Sequence, residues 1–590
     1  ELFSNYINNN KFTVRDFSIF RTISRHTFLH SVQSSLLNAF INSEPLGSIA
    51  KPKQGLATGN NNRFVRFWFE TVFDKSTWSK NSLSDKMWFP YNKGGDFNKW
   101  FGNSENVVNW QNNGSQIKNF TDSNGKLRSR PQNEQYYFRE GVTYSLIGNS
   151  EFCARYYPQG FLFDVGGSGF FPDKENLLPL LGLVNSKVGS LILSRLNPTV
   201  NFEVGDIENI PVILNESIRK KSSLLVQKNI EISLYELQRS EIQPYFHKVQ
   251  LINKDFDIIE DLIEDQLHLT VKKLNELYNN EVKINELFLE SYNLDNSEIN
   301  IHKIKTSFFG LHKLSSPKEI EDFRNNGTVL MINDLISFSI GCMFGRYSLD
   351  KEGIILANQE ETLQDYLLKV EKQELELSFV PDDDNIIPIL DDEWFEDDIV
   401  GRFYAFLKAS FGEQNFEKNL SFVEDSLGKD IRKYFVKDFY KDHIKRYKKR
   451  PIYWMFSSPK GSFNVLVYMH RYTPDTLNQV LNGYLNEYRE KLKTRIETLD
   501  HLMVSGSPSE QNKASKEKDK IQLVLLELQE YERETLYPLA TERISIDLDD
   551  GVLVNYNKFG DAIAAVAGLN DKKTKKKVKK FDWIDTTMIR

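Results

Sequence analysis

The densest group of chemically able side chains is Lys441-Asp-His-Ile-Lys-Arg-Tyr-Lys-Lys-Arg-Pro-Ile-Tyr-Trp454, where Lys441, Lys445, Arg446, Lys448, Lys449 and Arg450 mix with Tyr447, Tyr453 and Trp454. Cations beside planar rings suit a helix end and following strand that meet a phosphate backbone. The same run also suits a solvated helix face. A second group begins with five of the eight tryptophans, Trp68, Trp78, Trp88, Trp100 and Trp110, interleaved with glycine, asparagine and lysine. It continues through Gly125-Lys-Leu-Arg-Ser-Arg130 to the glycine-rich Phe161–Phe171. Planar rings give stacking faces, Arg gives a fork for guanine, and Gly lets backbone approach a ligand, so the mixture suits a surface that reads a polymer. With aromatic residues at 13% of the chain, it equally suits a β core whose loops carry the glycines.

Other chemistries find little support. His26 and His30 stand four apart but lack the glutamate of the H-E-x-x-H zinc signature, so no metal is expected. Gly166-Gly-Ser-Gly169 fits neither G-x-G-x-x-G nor a Walker motif and reads as a turn. Glu281-Val-Lys283 resembles a nuclease E-x-K but lies in a helical pattern. No G-x-S-x-G elbow occurs, and Cys153 and Cys342 lie far apart without C-x-x-C spacing. That cysteine usage fits a reducing compartment, and the cytoplasm is the expected location. No apolar run approaches the roughly 20 residues of a bilayer span, so no membrane partner is expected. The net charge is -7, so any nucleic-acid binding must come from local basic clusters.

The elements that must position these groups read as an α+β multidomain chain. Residues 1–214 show short apolar alternations broken by Gly, Asn and Pro, a mixed α/β module ending in a buried helix over Leu177–Leu193. Residues 215–294 carry apolar side chains three and four apart and predict a helical spacer. A mixed linker segment covers 295–375, and a mainly helical C-terminal domain covers 376–546. Its acidic stretch, Pro381–Asp398, is expected to be a solvated loop. Thr473-Pro474 signals a helix start, and apolar spacing from Leu477 to Leu502 predicts about 30 helical residues, or about 45 Å. A Ser/Lys/Glu-rich break, Ser505–Lys520, and a second amphipathic stretch complete a long antiparallel helical hairpin over 474–541 with a mobile tip. Residues 547–590 predict a short strand at Gly551–Tyr556 and a flexible lysine-rich tail at Lys572–Lys580.

Several long strings are familiar as they stand: Gly55-Leu-Ala-Thr-Gly-Asn-Asn-Asn-Arg-Phe64, Pro90–Gly95 with Trp100, Arg139–Tyr144, Phe161–Phe171, Leu183-Val-Asn-Ser-Lys187 and Asn197–Asn201. They resemble the target-recognition region of adenine-specific DNA methyltransferases. Gly341–Leu349, Tyr440–Trp454 and Val465–Tyr472 narrow the resemblance to the PglX-type methyltransferases of the BREX phage-defence system, over most of the chain. The resemblance implies transfer of methyl from S-adenosylmethionine to adenine in double-stranded DNA, marking host DNA. One departure matters: the family's N-P-P-Y tetrapeptide and glycine loop for the cofactor are both missing. The chain therefore resembles the part downstream of the catalytic domain, expected to be inactive alone, with no catalytic or cofactor-binding residue in it. Its expected partners are duplex DNA, the methyltransferase domain and other BREX proteins.

Under that resemblance residues 1–214 are the recognition module. Lys93, Arg128, Arg130 and Arg139 are the candidates for groove or phosphate contacts, and Asn92 and Gln132 are candidate adenine readers through paired amide hydrogen bonds. Lys445, Arg446, Lys448, Lys449 and Arg450 are the candidates for phosphate, while Trp88, Tyr91 and Trp100 shape loops. A non-catalytic DNA-binding or scaffold subunit of a defence complex remains the alternative.

Overall fold

The computed structural model describes residues 34–590 except 78–84, 147–150, 198, 200, 247, 248, 250, 253, 254, 296–298, 308–312, 315 and 316. His26, His30 and Trp78 lie outside the described residues. Helices outweigh strands, and the strands form several small sheets, an α+β arrangement. The chain divides into two compact units. The first comprises residues 1–65, 77–237 and 268–325, and the second 66–76, 238–267 and 326–590. The strip Arg66–Ser76, inside the segment read as the recognition module, thus belongs to the second unit.

In the first unit an antiparallel sheet runs in the order Pro52–Lys53, Gly169–Phe170, Gly141–Tyr144, Ala154–Tyr157. In another sheet Trp88–Asn92 pairs antiparallel with Asn106–Asn109 and parallel with Leu162–Phe163. The aromatic-rich stretch forms the core of this unit, with Phe64, Phe89, Tyr91, Trp110, Tyr137, Tyr157 and Phe163 in one buried cluster. Trp88 and Trp100 are buried as well, so the rings supply packing area. The helix expected at Leu177–Leu193 is two, Lys174–Asn185 and Lys187–Leu196, bent at Ser186. The Ser186 hydroxyl accepts from the Gly189 N–H at 3.0 Å, and the Asn185 amide bonds both N–H and C=O of Ala154 at 2.8 and 2.9 Å. The string Leu183–Lys187 is thus a helix break pinned to a strand. The segment read as a spacer holds helices Glu216–Leu237 and Ile259–Ser291, and residues 238–267 of it belong to the second unit.

In the second unit Ile386–Pro388, Asn464–Tyr468 and Tyr453–Ser457 form an antiparallel sheet with Asn464–Tyr468 central. The three strings that narrowed the resemblance meet at this sheet, two of them supplying its strands. Arg346 is fully buried, donates to the Tyr468 hydroxyl at 2.7 Å and lies over the rings of Trp68, Tyr347 and Tyr468. His443 and His470 are buried in the same aromatic core, His443 stacked on Tyr453 and His470 tilted against Tyr468.

Expectations about the hairpin and the C-terminal segment of this unit need correction. The hairpin exists, as helical residues Thr476–Ser505 packed on Pro508–Tyr531, but its break is only Gly506-Ser507. Ser507 caps the second helix and Glu510 answers it in a capping box, which lets the Lys/Glu-rich segment stay helical. The strand expected at Gly551–Tyr556 is a helical turn, Val552–Asn555. The lysine run is no loose tail but a helix, Lys572–Val578, anchored by Val578 in a cluster with Val554 and Ile589.

Candidate nucleic-acid interface

The glycine-containing segment Phe120–Arg130 folds into a tight hairpin in the first unit. Thr121 bridges Leu127, and the Asp122 carboxylate accepts from the N–H groups of Asn124 and Lys126, both at 3.0 Å. Gly125 takes a φ of +77°, which only glycine adopts without strain. Beyond the turn Arg130 exchanges two backbone hydrogen bonds with Ala57, at 2.8 and 3.1 Å. That places the hairpin beside the string Gly55–Phe64. Gly59 is required there, since a Cβ would lie 2.8 Å from the Arg128 carbonyl. Lys126, Leu127, Arg128 and Arg130 all point to solvent, and Leu127 is 51% exposed. Arg63 lies over the rings of Phe64 and Phe120 at the hairpin's base, 5.1 and 5.5 Å from their centroids.

Other sequence candidates of this unit fall elsewhere. Arg139 is exposed and lies over Tyr136. Lys93 is half-buried on a loop whose Gly94 packs against the Gly166 carbonyl, 2.4 Å from a would-be Cβ. Asn92 departs from its expected role. It is buried, and its amide donates to the Thr143 hydroxyl and to the Gly167 carbonyl, holding two loops together. An amide with no exposed edge has nothing to offer a base in this arrangement. Gln132 is half-buried with a buried amide nitrogen that lacks a hydrogen-bond partner. The Gly166–Gly169 turn is filled by the chain's own backbone, with Gly167 held against Asn92 and Gly94. It offers no cradle for S-adenosylmethionine, and no step of methyl transfer runs through it.

Glu281 carried a faint nuclease signal, and its geometry removes it. One oxygen pairs with Lys99 at 2.8 Å and the other accepts from the Trp100 indole at 2.9 Å. Lys99 and Glu281 are both buried, so the carboxylate is committed to this structural pair. Nothing in local spacing announced this pair, which joins residues 182 apart.

In the second unit the basic cluster sits at the end of helix Tyr440–Arg446 and the turn after it. Lys448 and Lys449 both take left-handed backbone, φ +51° and +61°, at a cost of roughly 1–2 kcal/mol each for a residue with a Cβ. The turn closes through Lys449 N–H to Ile444 C=O and Arg450 N–H to Tyr447 C=O, both 2.8 Å. Lys445, Lys448 and Lys449 are exposed, and the Lys448 ammonium lies over the Phe67 ring. Arg446 is the correction here. It points inward, bonding Asp334 at 2.6 Å with Glu241 3.6 Å away, and these carboxylates hold its guanidinium above its ordinary pKa against the desolvation that opposes it. Arg450 is half-buried, 3.9 Å from Glu70. Tyr447, Tyr453 and Trp454 are core residues and offer no stacking face.

The acidic stretch is not a solvated loop throughout. Asp382 is buried, and Asp382, Asp384 and Asp397 bring carboxylate oxygens within 4.8 Å of one another. The Tyr484 hydroxyl bonds Asp384 at 2.9 Å and Asp397 at 2.6 Å. Burial first, then the neighbouring Asp384, pushes the Asp382 carboxyl well above the usual range.

No protein-family model matches the chain. Over 558 residues, 91% of its length, it is 33% identical to the adenine-specific methyltransferase BrxX of Escherichia coli O9:H4 (strain HS), covering 44% of that protein. Over 532 residues, 87% of its length, it is 34% identical to the adenine-specific methyltransferase PglX of Lacticaseibacillus casei (strain Zhang), covering 42%. The chain thus spans less than half the length of these curated relatives.

Proposed function

From a chain homologous to the BrxX and PglX adenine-specific methyltransferases over about nine-tenths of its length, we propose a DNA-recognition role. The chain is the DNA-reading and C-terminal part of an S-adenosylmethionine-dependent adenine methyltransferase that marks host DNA in BREX phage defence. An adenine must leave the base stack to be methylated, so a module outside the catalytic domain has to hold the surrounding duplex. The observation that carries the reading is the hydrogen-bonded Phe120–Arg130 hairpin, which exposes Lys126, Arg128 and Arg130 in a chain whose net charge is -7. Arg128 and Arg130 are the base or phosphate contacts, with Lys93 and Arg139 on other loops of the same unit. The methyltransferase domain and other BREX proteins are its proposed partners.

The test is duplex binding by fluorescence anisotropy over a salt series. Tight, salt-dependent binding that drops when Arg128 and Arg130 are both changed to Gln supports the reading. Binding by the wild-type chain that is untouched by those changes removes the hairpin from the interface.

A further inference from the structure

We propose that the lysine helix Lys572–Val578 and the Lys448-Lys449 turn form one surface of the second unit that grips the phosphate backbone of duplex DNA, in addition to the Phe120–Arg130 hairpin. The inference rests on the DNA-binding reading and joins the lysine run, which the sequence presents as a flexible tail adding non-specific attraction, to the Lys448-Lys449 turn in one ordered surface.

The lysines are held in place. Asp571 caps the helix by accepting from the Thr574 N–H at 2.9 Å, and Val578 is buried against Val554 and Ile589. Seven of the nine residues from Lys572 to Lys580 are lysine. On a helix this sets Lys572 against Lys576 and Lys573 against Lys577 at i,i+4 spacing, and Lys579 and Lys580 extend the series. Like charges at that spacing oppose helix formation. Several carboxylates lie in the same stretch. Asp571 is occupied as the cap, Asp585 accepts from Thr587, and Asp561 lies 3.8 Å from Lys575. Asp582 is exposed beyond the helix. An ordered array of like charges is relieved by an external polyanion.

The second basic group converges on the same place. A Cβ built at Gly568 would lie 3.4 Å from the Lys449 ammonium, and the Gly568 N–H donates to Asp571 at 2.6 Å. Lys449 therefore stands at the start of the lysine helix although 123 residues separate it from Lys572. Lysine ammoniums are point charges suited to phosphates and carry no base code, so this surface binds any duplex alike. Fixing them beforehand lowers the ordering cost of binding.

The experiment measures affinity of the whole chain for matched and unrelated duplexes by anisotropy from low to moderate salt. Changing Lys572, Lys573, Lys576 and Lys579 together to Gln leaves Asp571 and Val578 intact, and circular dichroism checks that the fold is kept. The expected result is a loss of about tenfold or more on every duplex at moderate salt. The log–log salt dependence becomes shallower by about 0.9 for each lysine that contacts phosphate, hence by about 2 or more. The same four positions as Arg retain wild-type binding. An unchanged slope in the Gln variant, while the Arg128/Arg130 variant weakens binding, overturns the lysine surface and leaves the DNA-binding reading standing. No duplex binding by the wild-type chain overturns both.

Discussion

A cation serves a ligand only where its own protein leaves it in reach, and neighbours in one string differ in this. Lys445 faces solvent while Arg446 is drawn inward by Asp334 and Glu241. Arg446→Ala should therefore act on stability, by about 2 kcal/mol or more in chemical denaturation, since it takes a buried cation away from Asp334 and Glu241 and leaves them with Arg239 and the Ser337 and Tyr347 hydroxyls. Lys448→Ala with Lys449→Ala should leave stability nearly unchanged and weaken all duplexes equally; a stability loss like that of Arg446→Ala would make the turn structural. In the complete methyltransferase proposed for this chain, Arg128→Gln or Arg130→Gln should lose site discrimination by about 1–3 kcal/mol if the guanidinium grips a base edge. Methylation-sensitive sequencing reads this directly. Uniform loss at every site, without relaxed choice, would assign both residues to phosphate.

At the scale of elements, the acidic segment and the helical hairpin are tied together by Tyr484, which bonds Asp384 and Asp397. The raised Asp382 carboxyl makes this junction sensitive to pH. A carboxyl with a folded pKa above its unfolded value binds a proton more tightly when folded, so its contribution is fully present below about 3.8 and is lost as pH rises through the folded value. Asp382→Asn imitates the protonated form. Its melting temperature should exceed that of the wild type at pH 8, and the gain should shrink as pH falls toward 4. A gain independent of pH would show that Asp382 titrates normally. His443 works in the opposite sense. Burial, with Arg446 second, depresses its pKa from 6.5 to about 3, so its contribution is present above 6.5 and is lost progressively as pH falls toward 3. His443→Gln should flatten the acid side of the stability profile; an unchanged acid limb would place the sensitivity elsewhere.

At the scale of the whole molecule, a net acidic chain is proposed to bind a polyanion through two local surfaces, the hairpin of the first unit and the lysine-rich face of the second. Neither needs a favourable global field, but both need low or moderate salt. The missing N-P-P-Y and cofactor-loop strings lead to a further expected outcome. Calorimetric titration of the chain with S-adenosylmethionine should show no saturable binding. One-to-one binding would mean that a cofactor site of a different kind lies within this chain and would count against an exclusively DNA-reading role.

Local sequence determined the long amphipathic helices, the hairpin and the positions of the basic strings, because a 3.6-residue apolar period and short-range capping are written within a few neighbours. The long strings also carried the resemblance to the methyltransferases, although much of what they encode is packing: Asn185 pins a helix break to a strand, and Arg346 organises a buried cluster of rings. Tertiary structure decided which polar groups remain available. Asn92 is withdrawn by Thr143 and Gly167, Arg446 by Asp334, and Glu281 by Lys99 and Trp100. It also turned the lysine run into a helix, because Val578 meets Val554 and Ile589 there. The physical reason is common to these cases: burial and ion pairing are contacts between distant parts of the chain, and local spacing records the charge of a side chain but not the partner that claims it.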